Sequence, residues 1–187
     1  NNRLFFNIGD IESGVYEAAA GKYSFQVYAG ARYAYMSSNT NAFGTAAAGG
    51  VTTQAIANFF HSFNGGGPTL FAQGYRQIGG SAFAWFGNAR GALLVGSGHQ
   101  QYNTTLTTAR GAVVLTNTPF AFNNITTATL PMAEIETGLE YRIPCRNKMV
   151  FARVAAVDMT FFNFGGPFDT TSNLSLLGGR ASIGCNY

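Results

Sequence analysis

Counting back from Tyr187, every second residue of the terminal segment is apolar or small: Cys185, Ile183, Ala181, Gly179 and Leu177. The intervening Asn186, Gly184, Ser182, Arg180 and Gly178 are polar or carry no side chain. Successive side chains of a strand point to opposite faces, so this segment has one greasy face and one wet face. No other feature constrains the fold as much, because a strand of this kind closed by an aromatic is how outer-membrane β-barrels end. The aromatic then sits at headgroup level, in the girdle. A single amphipathic strand also fits a soluble sandwich, so recurrence along the chain decides.

The pattern recurs in six further segments. Met132 to Ile143 is the clearest: Met132, Glu134, Glu136, Gly138, Glu140 and Arg142 alternate with Ala133, Ile135, Thr137, Leu139, Tyr141 and Ile143. Ser81 to Gly98 sets Phe83, Trp85, Ala89, Leu93 and Val95 against Asn88 and Arg90. Tyr23 to Met36 sets Phe25, Val27, Ala29, Ala31, Tyr33 and Tyr35 against Ser24, Gln26, Tyr28 and Arg32. Phe6 to Glu17, Asn58 to Arg76 and Met149 to Phe162 complete the set, the middle one interrupted by Gly65-Gly66-Gly67-Pro68. That interruption lacks the lysine and following helix of a phosphate loop and reads as a bend relieving barrel curvature.

Connections of two kinds are expected between these segments. Ala18 to Lys22, Gln77 to Gly80 and Pro144 to Lys148 read as short hairpin turns. Ser37 to Ala57, His99 to Leu130 and Asn163 to Ser172 are longer and rich in Asn, Thr, Gly and Ser, and read as loops. Strict alternation of short and long connections matches the short periplasmic turns and long outer loops of outer-membrane barrels. Seven strands is an odd number where bacterial barrels have even ones. The expectation is therefore a single all-β domain over 1–187, an antiparallel transmembrane barrel of about eight or more strands, with at least one strand preceding Asn1.

Composition agrees. Charged residues are 10% of the chain, against ~25% in ordinary soluble domains. Aromatics reach 14%, with 17 Phe, 9 Tyr and 24 Gly. No run approaches the ~18 to 20 apolar residues of a membrane helix. A net charge of +3 with dispersed arginines gives no footprint for nucleic acid.

Several stretches resemble the Legionella-type pore-forming major outer-membrane protein family. They are Asp10-Ile-Glu-Ser-Gly-Val, Tyr28-Ala-Gly-Ala-Arg-Tyr-Ala-Tyr, Phe63-Asn-Gly-Gly-Gly-Pro-Thr-Leu, Gly87-Asn-Ala-Arg-Gly-Ala-Leu-Leu-Val-Gly and Ala133-Glu-Ile-Glu-Thr-Gly-Leu-Glu-Tyr. The resemblance covers most of this chain and about the C-terminal two-thirds of a typical member. It implies a membrane barrel with pore or structural duties and no catalytic residues. In such members an Arg and an acid stand four apart in the penultimate strand. Here Arg153 and Asp158 are five apart and face opposite sides unless a bulge intervenes.

The candidate site is a set of charges sharing one face: Asp10, Glu12, Glu134, Glu136 and Glu140 with Arg32, Arg90, Arg142, Arg153 and Arg180. Charge toward lipid near the bilayer midplane costs ~2 to 4 kcal/mol for Arg or Lys, so these groups should point into the lumen. They form either a selectivity lining or a salt-bridge network filling a narrow interior. His61-Ser62 and His99 supply candidate bases, but no nucleophile elbow or oriented triad accompanies them. Two distant histidines make no metal site, so neither catalysis nor a cofactor is expected. Cys145 and Cys185 permit one disulfide at the periplasmic rim, in an oxidising compartment. Tyr187 with Ile183 forms the terminal membrane-insertion signature.

The sequence thus reads as a porin-like or structural protein of the bacterial outer membrane, forming or sealing a small-solute pore. Its expected partners are outer-membrane lipid, the barrel assembly machinery and further copies within an envelope assembly. The rival reading is a secreted, non-enzymatic β-protein assembling into a surface layer or sheath, burying its aromatic faces against neighbouring copies.

Overall fold

The computed structural model describes residues 2–145, 148–164 and 172–186, with the backbone alone at 144, 145, 148, 149, 185 and 186. These residues form one seven-stranded antiparallel sheet whose strands lie in chain order. The strands are β1 (Asn2–Ala20), β2 (Tyr23–Ala48), β3 (Val51–Gln77), β4 (Phe83–Arg110), β5 (Val113–Cys145), β6 (Lys148–Phe161) and β7 (Leu174–Asn186). Each alternating segment of the sequence falls within one strand. Neighbours in sequence are neighbours in the sheet, the arrangement that tight hairpins impose.

Two of the expected long loops are strand instead. β2 and β3 run through Ser37 to Ala57 and meet at Gly49 and Gly50, whose φ angles are 59° and 76°. Two consecutive residues of positive φ make the type I′ turn that matches strand twist, and glycine enters that region without steric cost. β4 and β5 run through His99 to Leu130 around Gly111, at φ 59°. The Asn/Thr/Gly/Ser content that suggested loops hides a strand signal, because threonine is β-branched and fits a pleated surface. The third connection, Asn163 to Ser172, includes 165–171, which lie outside the described residues. The contrast along the chain is therefore one of strand length. β2 to β5 hold 26, 27, 28 and 33 residues, whereas β6 and β7 hold 14 and 13.

β5, β6 and β7 pair without slippage, from Met132↔Phe161 to Cys145↔Lys148 and from Phe161↔Leu174 to Met149↔Asn186. No bulge interrupts these ladders. Arg153 consequently faces the side of its register partner Glu140, while Asp158 lies on the other face between Ile135 and Leu177.

The chain divides into two compact units. One comprises Asn1–Gly9, Tyr33–Gly66 and Val95–Thr129; the other comprises Asp10–Arg32, Gly67–Leu94 and Leu130–Tyr187. In the first, Ala34, Met36 and Phe63 are buried, and Tyr102 stacks on Phe59 at 4.4 Å with Phe120 tilted against its ring. In the second, alternation is clean. Ala84, Phe86, Asn88 and Leu94 of β4 are buried while Phe83, Trp85 and Leu93 are exposed. On β5, Met132, Glu134, Glu136 and Glu140 are buried while Ile135, Leu139, Tyr141 and Ile143 are exposed. The interruption at Gly65 to Pro68 does not end β3. A Cβ at Gly67 would collide with the carbonyl oxygen of Leu93, so the glycine permits close approach of two strands on the buried face.

Candidate functional site

The period-2 alternation of the second unit sends one charged side chain after another to the same face, and there they meet. Arg32 on β2 holds Asp10 on β1 with two bonds, Nε to Oδ1 at 2.6 Å and Nη2 to Oδ2 at 2.8 Å. The same Nη2 donates to Glu134 Oε2 on β5 at 3.0 Å. Arg90 on β4 grips both carboxylate oxygens of Glu12 at 3.0 Å each and reaches Glu134 at 3.2 Å. Arg180 on β7 donates to Glu136 at 3.1 Å. Glu140 on β5 accepts from both Arg142 and Arg153. Five carboxylates are thus matched by five guanidiniums, and all ten residues expected on this face are drawn into ion pairs.

Burial is deep at the centre of this cluster and shallow at its margin. The side chains of Arg32, Glu134 and Glu140 are 2%, 5% and 2% exposed, whereas that of Arg180 is 54% exposed. Buried ions lose hydration worth several kcal/mol each, which only close, multiply hydrogen-bonded partners offset. The bidentate arginines supply that geometry. Aromatic rings complete the shell. The Arg90 guanidinium lies 4.5 Å from the centroid of Phe71, and that of Arg153 lies 4.3 Å from Phe151 and 5.1 Å from Phe86.

Several participants had no charge to reveal them. Tyr75 on β3 accepts from Arg153 and stands under Arg142, 4.6 Å from its guanidinium. Asn88 donates to Glu136 at 3.2 Å, and its Oδ1 is buried without a hydrogen-bond partner among the described residues. Arg32 Nη1 lies 2.8 Å from the sulfur of Met132. The parity that locates the charges also marks these residues. Asn88 shares the alternation of Arg90, and Tyr75 that of buried Gln73.

The other expected positions are dispersed. Tyr187 lies outside the described residues, and Ile183 is 83% exposed on β7. The side chains of Cys145 and Cys185 lie outside the described ones; their backbones belong to β5 and β7, with β6 between them. His61 and His99 belong to the other unit. His99 shares a 2.7 Å hydrogen bond with Asn123 and packs edge-on to Phe60.

The faces of the sheet are inverted relative to a water-soluble protein. Glu134, Glu136, Glu140 and Arg32 are buried, while Trp85, Leu93, Leu139, Val154, Leu177 and Ile183 are 48% to 84% exposed. A soluble monomer rarely exposes contiguous apolar surface on this scale and almost never buries so many charges.

A family model described as Legionella pneumophila major outer membrane protein precursor matches residues 2–174, most of the chain. No curated protein matches it.

Proposed function

Because this chain belongs to the Legionella pneumophila major outer membrane protein family, and so to the bacterial outer membrane, we propose that its sheet spans that membrane as part of a closed β-barrel. Its exposed aromatic and aliphatic face meets lipid, and its charged face turns to the lumen. The family is one of structural and porin-like proteins rather than enzymes. In this reading the turns at Gly21–Lys22 and near Gly79 lie on the periplasmic side, and the hairpin tips at Gly49–Gly50 and Gly111–Ala112 lie outside.

The protein acts as a porin-like or structural barrel that restricts passage at the level of the ion-pair cluster. One observation carries this: acids and arginines are matched in number, joined to each other and largely shut off from solvent. A selectivity lining needs charges of one sign facing a water-filled path. A self-neutralised network presents none, and small barrels are filled by their own side chains.

Planar-bilayer conductance tests the proposal. Wild type should conduct weakly and with little preference between anions and cations. The double variant Glu140→Ala/Arg153→Ala removes the acid and the more buried of its two arginines and should conduct more. A wild-type channel of large, strongly ion-selective conductance would contradict the sealing role.

A further inference from the structure

On the exposed face of the second unit, near the Gly21–Lys22 turn, a groove of about 600 Å³ opens between β2, β3 and β4. Its walls are apolar: Tyr23, Phe25 and Trp85, exposed by 56%, 45% and 55%. The floor is formed where Gly74 and Gly87 stand on adjacent strands with no side chains. At one end Arg76 lies with its guanidinium 5.5 Å from the centroid of the Tyr23 ring. Among the ion pairs of the described residues none uses Arg76, in contrast to the arginines of the cluster.

The floor glycines are not demanded by the fold. Neither has a positive φ, and an added Cβ would meet nothing closer than 3.9 Å, at the carbonyl oxygen of Gly87 for Gly74 and of Glu136 for Gly87. Glycine weakens a strand interior, so two of them side by side without a steric reason keep something open. Trp85 is fixed as one wall by a 2.8 Å hydrogen bond from its indole N–H to Thr137 Oγ1.

We propose that this groove is a binding site for a single phospholipid of the periplasmic leaflet, one acyl chain lying over Gly74 and Gly87 and the phosphate paired with Arg76. The inference rests on the membrane reading above. An apolar trough with one cation at its end fits a molecule that is a hydrocarbon chain ending in an anion. The position next to a periplasmic turn sets that cation at headgroup depth, where a long basic side chain reaches the interface while its stem stays on apolar surface. A neutral detergent fills the trough but leaves Arg76 without a counter-ion.

Trp85 is the single tryptophan of the chain, so its fluorescence reports on the groove. The purified protein in detergent micelles is titrated with phosphatidylglycerol carrying brominated acyl chains, which quench indole on contact. Quenching should saturate at a low lipid-to-protein ratio. Arg76→Gln should raise the half-saturation ratio five- to tenfold, and Gly74→Val/Gly87→Val, which fills the floor, should abolish the saturable phase. Quenching that rises linearly, is equal for a brominated neutral detergent, or is unchanged in both variants would overturn the site and leave only general lipid contact. Flotation with phospholipid vesicles keeps the two readings separate. A protein that floats but shows no saturable phase disproves the groove alone, whereas one that does not float disproves the membrane reading itself.

Discussion

Arg90 on β4 and Glu12 on β1 meet through two parallel hydrogen bonds of 3.0 Å although three strand spacings separate them in the sheet. In a flat sheet three spacings amount to ~14 Å. The two long side chains lean toward each other across this gap, and curl of this part of the sheet toward its charged face shortens the span they cover. The bond from Arg32 on β2 to Glu134 on β5 spans the same number of strands. Small residues on the concave side, such as Gly67 against Leu93, let the backbones approach as the curl requires.

The cost of breaking the cluster should follow burial. Arg32→Ala would strip Asp10 and Glu134 of their most buried partner, leaving Asp10 only Arg90 at 3.6 Å and Glu134 only Arg90 and Arg180, in a site 2% exposed on the arginine side. Such losses run to about 3–5 kcal/mol. Arg180→Ala removes a pair whose arginine is 54% exposed and should cost about 0–1 kcal/mol. Urea-dependent unfolding in detergent, read by tryptophan emission, checks both. Equal effects at the two positions would show that burial does not set the strength of these pairs.

The hairpin tips should be where external protease acts. Arg110 is exposed and precedes the tight turn at Gly111, so trypsin added to intact cells should nick the chain after Arg110. The strands on either side of that turn are continuous and should resist. Cleavage after Lys22 in place of Arg110 would invert the orientation.

The cysteines should not bridge. β6 separates β5 from β7, and two spacings of ~4.8 Å place the Cα atoms of Cys145 and Cys185 about 10 Å apart or more. A disulfide needs them within ~7 Å. The expectation placed Cys145 in the turn leading into Met149 to Phe162, beside the end of the next strand; instead β5 runs through Cys145, opposite Lys148, which sets it a full strand away from Cys185. Alkylation of the unfolded, unreduced protein should therefore modify both thiols in the intact mass. Modification that appears only after reduction would restore the bridge.

The sequence and the structure agree most closely where side chains alternate with a large contrast between faces. Glu134, Glu136 and Glu140 against Ile135, Leu139 and Tyr141 fix both the strand and its faces, because a one-residue slip would expose every carboxylate to the apolar side. The contrast fades where both faces carry Thr, Asn, Ala and Ser, as in Ser37 to Ala57 and His99 to Leu130. There only the turn glycines and the β-branched threonines announced strands. Which charges would meet was not legible either. Arg32 and Glu134 are a hundred residues apart, and their contact depends on the curl of the sheet rather than on any local spacing. Tyr75 was hidden for the same reason.

Facing direction is the central claim, and accessibility of single cysteines measures it most directly. Both native cysteines are replaced by serine, single cysteines are placed at Leu93, Leu139 and Arg180, and the protein is reconstituted in vesicles. A membrane-impermeant charged thiol reagent should leave the Leu93→Cys and Leu139→Cys proteins untouched until they are unfolded in denaturant, since the thiolate does not form in hydrocarbon. The Arg180→Cys protein should be labelled readily in the folded state, since its site lies on the polar face and is 54% exposed. Labelling of Leu93→Cys and Leu139→Cys by the charged reagent as fast as Arg180→Cys would contradict the assignment of apolar face to lipid and charged face to lumen.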